Sequence, residues 1–380
     1  MAQKSGRELV LEQLHVHKTH ELIPKSGKVV AFDLELSLRH ALDALAEHNL
    51  AHAPLWDSAR QEFVTVLQGE DFAQLLARYG REAAAGAAGA HGGLSARPAD
   101  EVTIREMLRA CRPSPTALAF ASLVPDESLY AAVQRMIERR LHHLPLIDGG
   151  VGVAPGPPSH QGGPPLPEPA AAPGSGSTIL HVLTPLRVLN CIVHSPMFQS
   201  DVGMFGERIM DLGIATLLPN HGAAASVVTA ALTAAGLAEG MPAGPTDAAA
   251  HGGVQGEAVC MAALAGAPLW HALMLVGQHG GSTLPVVDSV DSLVVMNVLT
   301  EERVLAFARS LPPVDLHTPL STALGSPPPP EGVACRPTDS LHAVMAAFSR
   351  HHAERLCITD DGGRLLGMVT VLDVLKFFTT

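Results

Sequence analysis

The stretch HHLPLID, residues 142–148, decides how this chain is read: two histidines, a short apolar run and a closing acid. The phrase returns as HAPLWD (52–57), TLPVVD (283–288) and RLCITD (355–360). A phrase that recurs four times in one chain marks an internal repeat, and a repeat sets the architecture before any single residue does.

Each copy sits in the same order of periodicities. A helix-period segment comes first, then the quoted strand, a turn, a second strand and a second helix. In unit one, LRHALDALAEHNL places Leu38, Leu42 and Leu45 on one face, ahead of APLW, EFVTVL and EDFAQLLARYG. In unit two, Leu129, Val133, Met136 and Ile137 form the face, followed by LPLI, TILHVL and PLRVLNCIV. Unit three runs PLWHALMLVGQHG, LPVV, SLVVMNVL and EERVLAFARSL, and unit four SLHAVMAAFSRHH, LCIT, LLGMVTV and DVLKFF. A unit of this size leaves apolar surface uncovered, so adjacent units are expected to pair into two pseudo-symmetric modules.

Four biased stretches separate or interrupt the units: Glu82–Pro98, Gly149–Ser177, His221–Gly256 and Gly325–Gly332, rich in Gly, Pro or Ala. They offer little to bury and read as loop-like or disordered. The second lies where units one and four carry a short turn, so it reads as an enlarged hairpin loop; closure entropy grows only logarithmically with loop length. The expected boundaries are 1–33 for a leader, 34–81 for unit one, 82–115 for a linker, 116–200 for unit two with insertion 149–177, 201–312 for unit three with insertion 217–256, and 313–380 for unit four.

Composition narrows the function classes. Aromatics are only 4% of a chain that is 47% apolar, so the cores must be aliphatic. No apolar run reaches the roughly 18–20 residues of a membrane span, and the N-terminus lacks the order of a secretory signal. The five cysteines (Cys111, Cys191, Cys260, Cys335, Cys357) are scattered and form no C-x-x-C, which fits neither a disulfide framework nor a zinc site. A reducing cytoplasmic or nuclear setting is expected. A net charge of −12 opposes non-specific binding to nucleic acid. No Walker loop, kinase catalytic loop, G-x-S-x-G or HExxH is present, so no enzyme activity is expected. His351-His352 has no carboxylate or cysteine at metal-ligand spacing and reads as surface; no metal site is expected.

The four units resemble cystathionine-β-synthase (CBS) domains. The leader ELIPKSGKVVAFD, joined to APLWDSARQEFV and HHLPLID, resembles the gamma subunit of AMP-activated and sucrose-non-fermenting-type protein kinases, in its plant or algal form. The resemblance implies an α/β fold of four helix–strand–strand–helix units paired into two modules, forming a flat disk with the Gly/Pro/Ala insertions outside it. It also implies a leader strand that pairs with a beta subunit, a catalytic alpha subunit as further partner, and AMP, ADP or ATP as ligands, with no cofactor, membrane or nucleic acid. Two alternatives stay open: a kinase-complex scaffold with degenerate nucleotide sites, and a free-standing CBS protein that regulates another enzyme or a transporter.

The second strand of each unit runs into a helix through LQGED (67–71), LTPLR (183–187), LTEER (299–303) or VTVLD (369–373). Thr184, Thr300 and Thr370 suit an N-cap and Pro185 the first helical position. A helix N-terminus suits a phosphate, and a carboxylate can accept both hydroxyls of a ribose. Carried over by position, the resemblance makes Asp71 and Asp373 the ribose carboxylates. Arg187 and Arg303 stand at the same position in units two and three, so two good sites at most are expected. The pair ahead of the first strand is His-Arg in the family and faces phosphates; His142 and Arg355 match it, while His143 replaces an arginine and Glu354 a histidine. Ala51 stands where a basic residue is expected in unit one. Thr184, Arg187, Thr216 and Thr370 complete the candidates near phosphate. These departures weaken phosphate contacts or favour ligands with fewer phosphates, since histidine is only partly charged near neutral pH.

Overall fold

The computed structural model describes residues 6–25, 28–84, 97–112, 120–148, 178–199, 203–218, 261–279, 283–310, 315–325 and 333–380. The expected insertions fall mainly on 85–96, 149–177, 219–260 and 326–332, outside the described residues.

The repeat is realised four times. Unit one folds as helix Leu38–Glu47, strands Ala53–Asp57 and Glu62–Leu67, and helix Gly69–Ala84. Unit two is Leu129–Arg139, Leu144–Asp148, Thr178–Leu183 and Pro185–Val193; unit three is Leu269–His279, Thr283–Val287, Val295–Thr300 and Glu301–Arg309. Unit four is Leu341–His351, Arg355–Thr359, Leu365–Thr370 and Val371–Thr379. Ser37, Ser128 and Ser340 cap the first helices of units one, two and four, each accepting from the backbone N–H three residues on. In every unit the two long strands are antiparallel, and all four ladders shift register near the end of the first strand: at Leu55/Trp56, Leu146/Ile147, Val286/Val287 and Ile358/Thr359. A bulge kept at one place in four divergent copies is a built feature of the repeat. In unit two, Leu144–Asp148 and Thr178–Leu183, on either side of residues 149–177, pair antiparallel with each other.

The units pack in two directions. Helix Gly69–Ala84 of unit one lies against helix Leu269–His279 of unit three, in a core that includes Phe72, Leu75, Leu76, Leu269 and Leu273. Units two and four share a second core that includes Leu129, Met136, Leu189, Met345, Phe348 and Phe378. The sheets of units three and four meet through a smaller cluster of Val287, Leu293, Val298, Cys357, Leu365 and Met368. Between units one and two, the rings of His52 and His143 lie 4.1 Å apart.

The connecting segments bind the units in sequence order, and here the expected boundaries need correction. The leader helix Gly6–Val16 precedes unit one but buries Val10 and Leu14 in the core of units two and four. The backbone carbonyl of His17 accepts from the N–H of Leu129, at the start of unit two. Residues 203–218, assigned to unit three, pack on unit four: Ile209 N–H donates to the Asp339 carbonyl, and Thr216–Leu217 runs antiparallel to Gly367–Met368. The linker carries a helix, Ile104–Cys111, held at Thr103 by a capping box with Glu106 and packed on unit one. Leu316 and Leu320, assigned to unit four, lie in the core of units one and three. The physical reason is the same each time. The start of a unit's first helix has unpaired N–H groups and an uncovered apolar flank, and a passing segment supplies both a bridge and side chains. The bridges Lys18–Ser128, Ser37–Thr103, Arg208–Ser340 and Pro268–Pro319 fall at that point in units two, one, four and three. Within each sequence-adjacent pair, the segment before the first unit grips the second and the segment after it grips the first.

Close approach of the central helices depends on Gly80, where an added Cβ would sit 2.2 Å from the Cβ of Trp270. Gly80→Ala is expected to lower stability by about 1–3 kcal/mol through overpacking, read by denaturant unfolding. Gly206→Ala, where nothing lies within 4 Å of an added Cβ, should stay near the parent value.

Candidate functional site

The same end of all four hairpins faces one place. In unit four Arg355 pairs with Thr370, and in unit two Leu144 pairs with Leu183, so the residues before each first strand stand beside the N-terminus of the following helix. Around this junction lies a cavity of about 660 Å³, within the range that holds a small molecule. Its wall includes His52 from unit one, His143 and Thr184 from unit two, Thr300 and Glu301 from unit three, and Glu354 and Arg355 from unit four.

The expected N-caps are in place. Thr184 and Thr370 each accept from the N–H three residues on, Pro185 is the first helical residue, and Thr300 caps Glu301–Arg309 by backbone conformation alone. Thr184 lines the cavity. Arg187 is exposed on the first turn of its helix, and half-buried Thr216 sits on the short edge strand of unit four; neither lines the cavity. Arg303 donates to the Leu324 carbonyl at 2.7 Å. His351 and His352 are exposed, at the cavity's margin.

The two aspartates differ sharply. Asp71 is 1% exposed and is held by Arg112, whose Nε donates to Oδ1 at 2.6 Å and whose Nη2 donates to Oδ2 at 2.7 Å. The same guanidinium donates to Thr65 Oγ1 at 2.8 Å and to the Val66 carbonyl, and Gln68 N–H donates to Asp71 Oδ2. A bidentate guanidinium–carboxylate pair is among the strongest side-chain contacts, and here it engages both oxygens of Asp71. Asp373 is more open. Its Oδ2 accepts from Thr370 N–H at 2.9 Å and Oγ1 at 2.7 Å, while Oδ1 has no hydrogen bond among the described residues. Burial raises the Asp373 carboxyl above its ordinary range, against the hydrogen bonds from Thr370 and the nearby charge of Arg355. Neither aspartate lines the central cavity.

The deepest part of the junction is a carboxyl and imidazole cluster. His142 Nδ1 lies 3.6 Å from Glu354 Oε2, and His143 Nδ1 lies 3.1 Å from Gln68 Oε1. Burial holds His143 well below the ordinary histidine range and brings His52 down to about 4, so both imidazoles are neutral near pH 7. Glu301 reaches from unit three to unit one, where its Oε1 accepts from Gly69 N–H at 3.0 Å. Gly69 permits this approach, since an added Cβ would sit 2.5 Å from Glu301 Cγ. Burial raises Glu70, and it raises Glu301 to about 7. Sequence reasoning did not single out Glu301, and did not anticipate Arg112, which lies 41 residues from its aspartate. Among the described residues no group of three or more His, Cys, Asp or Glu is arranged to hold a metal.

A carboxyl raised on folding stabilises the fold fully below its unfolded value near 4.5, and that contribution is lost as pH rises through about 7. His52, depressed on folding, works in the opposite sense between about 6.5 and 4, while Glu70, also raised by burial, works in the same sense as Glu301. Thermal unfolding should show the parent losing about 1 kcal/mol between about pH 6.5 and 8, with Glu301→Gln losing less than half of that.

The CBS domain family matches residues 326–379, the region of unit four. The chain is 24% identical over 384 residues to the gamma-3 subunit of 5'-AMP-activated protein kinase from Homo sapiens, covering 98% of this chain and 61% of that one. It is 23% identical over 381 residues to the gamma subunit from Dictyostelium discoideum, covering 98% and 53%. The chain thus spans little more than half the length of these curated relatives. A crystal structure from Methanocaldococcus jannaschii, offered as an archaeal homolog of g-AMPK, superposes with a TM-score of 0.59 at 12% identity, covering 95% of this chain and 100% of that one. At that identity the likeness speaks for the fold alone. Residues 326–379 thus match the CBS domain family, and over 98% of its length the chain is similar to gamma subunits of 5'-AMP-activated protein kinase.

Proposed function

We propose that this chain is a non-catalytic regulatory subunit of gamma type, which binds an adenine nucleotide at the junction of its four units and passes the occupancy on to a kinase. The observation that carries the reading is the cavity of about 660 Å³ to which every unit contributes a polar side chain. A ligand seated there touches both modules at once, so it can favour one arrangement over another, which is the requirement for allosteric coupling. Arg355 supplies the fixed positive charge for a phosphate, and Thr184 and Thr300 bring helix N-termini to the cavity wall. Neither aspartate lines this cavity; of the two, Asp373, with one acceptor oxygen unused, is the more open to a ribose, and Asp71 is sealed by Arg112. In this reading the catalytic alpha subunit and the beta subunit are the partners, the leader pairs with the beta subunit, and the complex works in the cytoplasm or nucleus.

The sealed Asp71 and the three glutamates at the junction favour a second reading, a scaffold that joins kinase subunits without sensing nucleotide. Calorimetric titration with AMP, ADP and ATP separates the two. The sensing reading expects saturable binding of at least one nucleotide, weakened about tenfold or more by Arg355→Ala, as befits loss of a charged hydrogen bond. Subunit assembly without detectable nucleotide binding at millimolar concentration would establish the scaffold instead.

A further inference from the structure

The charges around the central cavity do not match a polyphosphate. Four carboxyls face it or the adjoining pocket: Glu70 on helix Gly69–Ala84, Glu301 and Glu302 on helix Glu301–Arg309, and Glu354 ahead of strand Arg355–Thr359. The cations there are Arg355 and Arg309. The imidazoles facing the same place are His52, ahead of the first strand of unit one, and His142 and His143, ahead of that of unit two; His351 and His352 stand further out. With every carboxyl ionised, four carboxylates face two guanidiniums, before any phosphate arrives.

Among the four, Glu301 has the geometry of a group that responds to what enters. Like Glu354, it borders both the cavity and the smaller pocket behind it, which is lined also by Gln68, Gly69, Glu70 and His142; unlike Glu354, it is bonded across the junction to another unit's backbone. Its bond from Gly69 N–H joins unit three to unit one across the junction, and a carboxyl accepts that bond in either protonation state. Glu302, one residue on, is exposed.

We propose that Glu301 sets the charge of the ligand this cavity accepts: it is the carboxyl that takes up a proton when an anionic ligand enters. The proposal rests on the nucleotide reading above and gives that site its selectivity. Burial has already brought Glu301 to about 7, so an arriving phosphate needs to raise it only a little further to fill it with a proton at neutral pH. A bound ligand then carries its charge into a cavity made less negative by one, and a ligand with one phosphate is favoured over one with three.

Calorimetric titration of the full chain with AMP and with ATP, in two buffers of different ionisation enthalpy, measures affinity and proton uptake together. For the parent, AMP binding should weaken roughly fivefold to tenfold between about pH 6.5 and 8, with ATP losing more. Proton uptake should exceed what the titration of the free phosphate accounts for. Glu301→Gln, which keeps the size and the Gly69 contact, should lose the excess uptake and bind AMP at the higher pH about as well as the parent does at the lower. Glu302→Gln, at an exposed carboxyl on the rim, should keep the parent's excess proton uptake. Equal uptake in parent and Glu301→Gln would overturn the inference while leaving nucleotide binding in place, and uptake by the parent no greater than the phosphate's own would overturn it without recourse to a variant. Binding of neither nucleotide at any pH would overturn the nucleotide reading itself and this inference with it.

Discussion

A helix–strand–strand–helix unit of some fifty residues has more apolar surface than one neighbour can cover, and this chain meets that demand by covering each unit from two sides. Helices bury one flank against a unit of the other module, giving the cores of units one with three and two with four. Connecting segments cover the starts of the first helices within each sequence-adjacent pair. Once both contacts are made, the four hairpin ends have nowhere to point except toward each other. The cavity, its lining and its mixture of charges all follow from that convergence.

The convergence also explains why the junction is chemically unusual. Each unit brings a helix N-terminus to nearly the same place, and the partial positive charge there favours acids in the first turn. Glu70, Asp71, Glu301, Glu302 and Asp373 all sit at such starts. In an isolated unit they would be solvated. Where four units meet, water is thinned and carboxyls face one another, so the acids either find a cation, as Asp71 finds Arg112, or hold their protons more tightly, as Glu70 and Glu301 do.

Much of the fold was legible because a repeat exposes itself. The four phrases gave the strands, Thr184 and Pro185 gave a helix start that the structure keeps, and the pairing of the strands on either side of 149–177 could be read by comparing copies. What stayed hidden were contacts between copies. Glu301 and Gly69 are 232 residues apart, and no local rule says that one unit's capping acid will reach another's first helical turn. Arg112 closes a short helix of the linker, where basic residues are common for reasons of the helix dipole alone. The segment 203–218 was assigned to the unit it precedes, because exchange between neighbours leaves no trace in periodicity. For the site, the type of residue at each hairpin end was readable, whereas its charge state was not, since that depends on how completely the other three units enclose it.

A structure of the chain crystallised with AMP near neutral pH tests the central claim most directly. The account predicts one nucleotide in the central cavity, with its phosphate within hydrogen-bond distance of Arg355 and the Arg112–Asp71 pair intact. A nucleotide whose ribose displaces Arg112 from Asp71, or one bound away from the four-unit junction while the central cavity stays empty, would contradict it.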